Sequence, residues 1–187
     1  MNDPSGTFPQ VPVATAPWLM LITEVPSKPD YLRVKLRRRV QRLGAVGLKG
    51  AVYLLPETAD AVESLRGLRQ EIVADGGEAT ICSATLVEGI TNADIVAMFN
   101  RDRDGEYAEF TAACAELSSR WAEAGSDSRP ALIAERDRLY RRLEEILGRD
   151  YFTASRREAA MQGIERLAVL DIVAPRSGTA PGPRAST

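Results

Sequence analysis

Arginine is the residue whose density along this chain could do chemistry. Residues 28–49 carry eight Lys or Arg against a single Asp, whereas residues 50–187 carry sixteen against twenty-three acidic side chains. One basic element therefore sits on an acidic body, although the formal net charge is only −2. Within that element Leu32, Leu36, Val40 and Leu43 recur at helical spacing. Lys35, Arg37, Arg38 and Arg42 fall on the solvent side of that apolar stripe, Arg33 and Arg39 at its edges, and Lys49 follows shortly after. A guanidinium donates two parallel, charge-assisted hydrogen bonds to phosphate or to a free tetrahedral oxyanion. A basic face of this kind fits three roles: contact with nucleic-acid phosphates, contact with an acidic partner or inorganic anion, or a solvated helix surface.

Other chemistry is sparse. The chain has no histidine, which removes the commonest general base, metal ligand and pH switch together. Cys82 and Cys114 are far apart and lack metal-ligand spacing, so two reduced core cysteines are expected. Residues 100–105 (NRDRDG) match the first half of a calcium loop, but Thr111 stands where a bidentate Glu is required and two arginines oppose a dication. A helical break at Gly105 is the expectation there. Glu24 is the only acidic residue in the first strand and has no evident carboxylate partner, which disfavours metal-assisted cleavage. No catalytic residue, metal site or cofactor is expected.

These residues must be positioned by elements that the pattern of apolar side chains delimits. Trp18 to Val25 is a continuous apolar run between Pro17 and Pro26, as in a buried central strand. Ser27 can cap the basic helix, with Asp30 in its first turn, and Gly44 ends it. Residues 46–55 are β-rich with a break at Lys49-Gly50, giving two short strands or one bulged strand. Thr58 caps a second helix through Val62, Leu65, Leu68 and Ile72, stopped at Gly76-Gly77, and residues 78–86 return as a strand. The order β-α-β-β-α-β, with right-handed crossovers, gives a ferredoxin-like α+β core over residues 18–90 with both helices on one face.

From Thr91 the strand signals cease. Tyr107, Phe110, Cys114, Leu117 and Trp121 form a seam at spacings of three and four, Leu132, Leu139, Leu143 and Ile146 a second, and Ala160, Ile164 and Leu167 a third. Residues 91–173 are thus expected as an antiparallel helical arm folded onto the sheet or onto a second subunit. Residues 1–17 and 174–187, rich in Pro, Gly and Ser, are expected to be disordered tails. The N-terminal stretch resembles neither a signal peptide nor a membrane anchor, so a cytoplasmic location is expected.

Several words in this order resemble the N-terminal domain of the chromate-resistance regulator ChrB family. They are the W-L-x-L-I at Trp18, Arg33-Val34, Leu43-Gly44-Ala45, the run from Gly50 to Pro56, Gly76-Gly77-Glu78-Ala79, and Phe99, Arg103, Glu106 and Tyr107 in a later helix. Family members commonly carry Trp-Arg where this chain has Arg37-Arg38, and this chain is expected to end before the family's separate C-terminal domain. The resemblance implies a DNA-binding transcriptional regulator of a chromate-efflux operon, relieved by chromate. On that basis DNA contacts are expected from Arg33, Lys35, Arg37, Arg38, Arg42 and Lys49, and a chromate or sulfate oxyanion at Arg33 with Arg103. For Arg103 a salt bridge tying the arm to the core is the competing reading. A homodimer is expected. A structural dimerisation module serving a partner sensor, or an inactive nuclease-like ferredoxin fold, are the alternatives.

Overall fold

A computed structural model describes residues 17–26 and 30–173, with side chains to residue 168. It is an α+β structure of four strands and five helices: β1 Trp18–Glu24, α1 Tyr31–Arg42, β2 Val46–Lys49, β3 Val52–Pro56, α2 Ala59–Ala74, β4 Glu78–Ala84, α3 Asn92–Glu123, α4 Arg129–Leu147 and α5 Arg157–Val173. The Ser27 cap and most of both tails lie outside the described residues. Asp30 occupies the N-cap position of α1 and not its first turn, in helical geometry and without a side-chain capping bond.

All strand pairings are antiparallel, in the order β2-β3-β1-β4. β1 is central, which is why its apolar run is uninterrupted. Its register places Leu19, Leu21 and Thr23 beside Tyr53, Leu55, Ala79 and Ile81 on the face that α1 and α2 cover. β2 and β3 form a hairpin through Gly50-Ala51, where Gly50 takes φ +54°, so the break at Lys49-Gly50 resolves as two strands. Thr58 caps α2 as expected, its hydroxyl accepting from the Ala61 amide.

The opposite sheet face is covered at one end by α3. Trp18 stacks on Phe99 with ring centroids 5.9 Å apart, and Phe152 packs against both. The Trp18 indole N–H donates to Asn92 Oδ1 at 2.8 Å, fixing where α3 begins. Thr91 and Asp94 make a capping box there.

α3 continues unbroken for 32 residues. The expected break at Gly105 is therefore absent. A helical Gly costs about 1 kcal/mol relative to Ala, which burial of Phe99, Tyr107 and Phe110 on either side outweighs. The seam through Tyr107, Phe110, Cys114, Leu117 and Trp121 packs with Leu132, Leu139, Leu143 and Ile146 of α4 and Ala160, Ile164 and Leu167 of α5 in a second core. Ile95 and Phe99 belong to the sheet core, so one helix serves both. Among the described residues no helix is long and apolar enough to cross a membrane.

Candidate anion-binding surface around the first helix

α1 buries Leu32, Leu36 and Val40 on the sheet and turns its basic residues outward in three directions. Lys35 and Arg39 face α2, where Lys35 Nζ lies 2.6 Å from Asp75 Oδ2 and Arg39 makes a two-pronged pair with Glu71. The hydrogen bond that Lys35 donates to Asp75 raises the Lys35 pKa. These two cations thus orient α1 against α2.

Arg33 and Arg37, one turn apart, line an open cleft of about 730 Å³ between α1 and the β2–β3 hairpin. Its floor includes Gly47 beside Tyr53, directly paired in register, and Gly50-Ala51 closes one end. Arg38 and Arg42 line a second cleft, about 530 Å³, with Arg103 of α3 and Arg149 just after α4. Gln41, Ala45 and Asp102 border both clefts, so the two are neighbours along the C-terminal half of α1. Among the described residues Arg33, Arg37, Arg38 and Arg42 form no ion pair. Lys49 is exposed at the end of edge strand β2.

Arg103 is 94% buried, being 6% exposed. Its Nε lies 3.3 Å from Glu106 Oε2 one turn along α3, and Nε and Nη1 have no hydrogen-bond partner among the described residues. The salt bridge is thus internal to α3 and does not tie arm to core. Nη1 instead abuts the turn at Gly44, where it would stand 3.1 Å from a Cβ, and Gly44 has φ +70°. Burial lowers the Arg103 pKa, opposed by Glu106. Arg149 Nη2 also approaches Glu106 Oε2, at 3.5 Å, and its Nη1 donates to the Gln41 carbonyl at 3.1 Å. Tyr151 donates its hydroxyl to the Leu43 carbonyl at 2.9 Å. Residues more than a hundred positions away in sequence therefore cap the end of α1.

The structure does not bring Arg33 and Arg103 into one cleft; Arg103 instead shares its cleft with Arg38, Arg42 and Arg149. Arg149 was missed by sequence reasoning, because it lies outside the helical seams and reaches α1 only through the fold. Two further expectations change. Glu24 has a carboxylate neighbour after all, since it lies directly opposite Glu78 on β4. Cys82 is half-buried rather than enclosed, its Sγ 3.9 Å from the Met20 carbonyl, while Cys114 is buried and its thiol is pushed up to about 11 by burial. Both cysteines are free. No group of three or more His, Cys, Asp or Glu that could hold a metal occurs among the described residues.

A two-core α+β domain carrying a clustered arginine surface has a match among known families. Residues 33–170 match the family described as Protein ChrB, N-terminal, and the chain belongs to that family. A curated relative, Protein ChrB of Cupriavidus metallidurans (strain CH34), is 28% identical over 158 residues, covering 83% of this chain and 47% of that protein. The chain thus spans about half the length of the curated relative it matches. No solved structure matches.

Proposed function

We propose that this domain is the DNA-binding part of a cytoplasmic, non-enzymatic transcriptional regulator of chromate resistance, working as a homodimer. The observation that carries this reading is the arginine set itself. Arg33, Arg37, Arg38 and Arg42 stand on one helix without ion-pair partners among the described residues, while the rest of the chain is acidic. Self-neutralisation would have been simple to build, as Lys35 and Arg39 demonstrate. The strand order β2-β3-β1-β4 with two interleaved crossovers supports the ferredoxin-like assignment of the core.

An oxyanion of the chromate or sulfate class fits the cleft of Arg38, Arg42, Arg103 and Arg149 better than a site built on Arg33 and Arg103. Anion and DNA would then compete for Arg38 and Arg42. Linkage requires each ligand to weaken the other by the same factor.

Salt-dependent DNA binding tests the reading. If Arg33, Arg37, Arg42 and Lys49 each neutralise one phosphate, log K falls against log salt with a slope of about −3.6, a loss of roughly 150-fold for a fourfold rise in salt. Arg37→Ala, Arg38→Ala and Arg42→Ala together should flatten the slope to about −1.8. An unchanged slope would remove α1 from the interface. The Glu24–Glu78 pair gives the nuclease-like alternative one observation in its favour. Two carboxylates without a histidine remain a thin basis for hydrolysis. Magnesium- or manganese-dependent cleavage that disappears in Glu24→Ala would establish it.

A further inference from the structure

Tyr31, Val34, Arg38 and Gln41 recur at spacings of three, four and three, and all four are exposed. They form the line of α1 opposite its buried stripe of Leu32, Leu36 and Val40. On one flank Lys35 and Arg39 are held by Asp75 and Glu71 of α2. On the other, Arg33 and Arg37 line the cleft over the β2–β3 hairpin. The central line differs from both flanks in chemistry: Tyr31 is 61% and Val34 49% exposed. Two large apolar side chains in the middle of an arginine field are needed neither for solubility nor for holding phosphates.

We propose that Tyr31, Val34, Arg38 and Gln41 are the base-reading row of a recognition helix that lies in the major groove of duplex DNA. This rests on the DNA-binding reading above and adds sequence specificity to it. The major groove, about 12 Å wide, admits an α-helix, and its base edges call for these side-chain types. Arginine pairs bidentately with guanine O6 and N7, glutamine with adenine N7 and N6, and an apolar side chain packs on the thymine methyl. Arg38, Gln41 and Val34 supply one of each, and Tyr31 adds a second apolar surface at the helix start. From Tyr31 to Gln41 the row is about 15 Å long, the rise of roughly four base pairs at 3.4 Å each. The flanking Arg33, Arg37 and Arg42 are then placed for phosphates, which position a protein on DNA without reading sequence. The bonds from Arg149 and Tyr151 to the Gln41 and Leu43 carbonyls hold the C-terminal end of the row in place before DNA arrives. Double-stranded RNA does not fit, because its major groove is too narrow for side chains to read.

The experiment is selection from a duplex DNA pool with a randomised core, run with the full chain, followed by affinities on the enriched duplex and on a scrambled one. Wild type should enrich a common motif of about four base pairs per bound α1. Val34→Ala, Arg38→Lys and Gln41→Ala should each relax one position of it, losing about tenfold in discrimination. Arg38→Lys and Gln41→Ala should keep the salt slope and the affinity for the scrambled duplex within about threefold. Arg33→Ala with Arg37→Ala should do the reverse, lowering the slope by about two while leaving the motif intact. These side chains are exposed, so thermal melts of the variants should match wild type and exclude misfolding as the cause. Salt-dependent binding with no enriched motif, or a motif unchanged in all three row variants, would overturn the base-reading assignment alone. Failure to retain any duplex at low salt would remove the DNA-binding reading beneath it. Equal retention of duplex RNA would also count against major-groove reading.

Discussion

Arg103 is held in a place where a guanidinium is costly. Its Nη1 lies against the Gly44 turn without a hydrogen-bond partner among the described residues, its Nε meets only the carboxylate of Glu106 at 3.3 Å, and that one carboxylate serves both it and Arg149. Arg103→Lys would keep the charge but lose the planar fork, so anion affinity should fall about tenfold or more while the melt shifts little; calorimetric titration with sulfate reads this, and unchanged affinity would remove Arg103 from the anion site. Three other groups, two buried and one half-buried, set a pH response. Burial raises the pKa of Cys114 to about 11, and burial together with Asp150 raises that of Tyr107 further, where its hydroxyl donates to Asp150 Oδ2 at 2.9 Å. Tyr151 is raised by burial as well. Each folded-state pKa exceeds its unfolded value, so the folded protein holds more protons in alkali. The stability that Cys114 contributes is complete below pH 9 and is lost as pH climbs from 9 to 11, and that of the two tyrosines is complete below pH 10 and is lost as pH rises above it. Melting temperatures should be flat to about pH 8.5 and fall above it. Cys114→Ala should remove the earliest part of that fall, which melts at half-unit intervals of pH would detect.

At the scale of elements, what was legible in the sequence was local. The Thr58 cap, the apolar run of β1, the glycine stop at Gly76 and the three helical seams depend on neighbours within a turn or a strand. Legibility failed where distant chain segments decide. The Glu24–Glu78 pairing comes from register between strands more than fifty residues apart. The carbonyls at the end of α1 are satisfied by Arg149 and Tyr151, 108 residues away. Gly105 read as a break because its local cost was visible and the packing on either side was not. Its role can be tested directly. Neither Gly67 in α2 nor Gly105 in α3 has any atom within 4 Å of where a Cβ would stand. Gly67→Ala and Gly105→Ala should therefore each stabilise the protein by about 0.5–1 kcal/mol. Their effects should add, the sites lying in different helices. Gly44→Ala should do the opposite, since φ is +70° there and the new Cβ would lie 2.9 Å from Arg149 Cβ; a loss above about 1 kcal/mol in urea titration is expected.

The whole molecule is two hydrophobic cores threaded on one helix. α3 contributes Ile95 and Phe99 to the sheet core and Tyr107 through Trp121 to the helical core, with Tyr151 and Phe152 returning from the arm to pack on Phe99. A 32-residue helix cannot lose one half cheaply, because its free half would be left with an unpartnered apolar seam. Sheet and arm should consequently unfold as one unit. The chain contains two tryptophans, and they happen to report separately: Trp18 lies in the sheet core and Trp121 in the helical core. In Trp18→Phe and Trp121→Phe variants, each retaining one reporter, the urea midpoint from fluorescence should coincide with that from far-ultraviolet circular dichroism. Adding Phe99→Ala, which removes a buried ring of the sheet core for about 3–5 kcal/mol, should lower both midpoints together although Trp121 lies in the other core. A proline at position 105 supplies the contrast. Gly105→Pro breaks α3 between its two cores at a cost of about 3 kcal/mol, and the two reporters should then separate. If Trp18 and Trp121 already report different midpoints in the unmutated background, the sheet and the arm are independent domains. The bonds from Arg149 and Tyr151 to α1 would in that case be too weak to carry a signal from the arm to the basic helix.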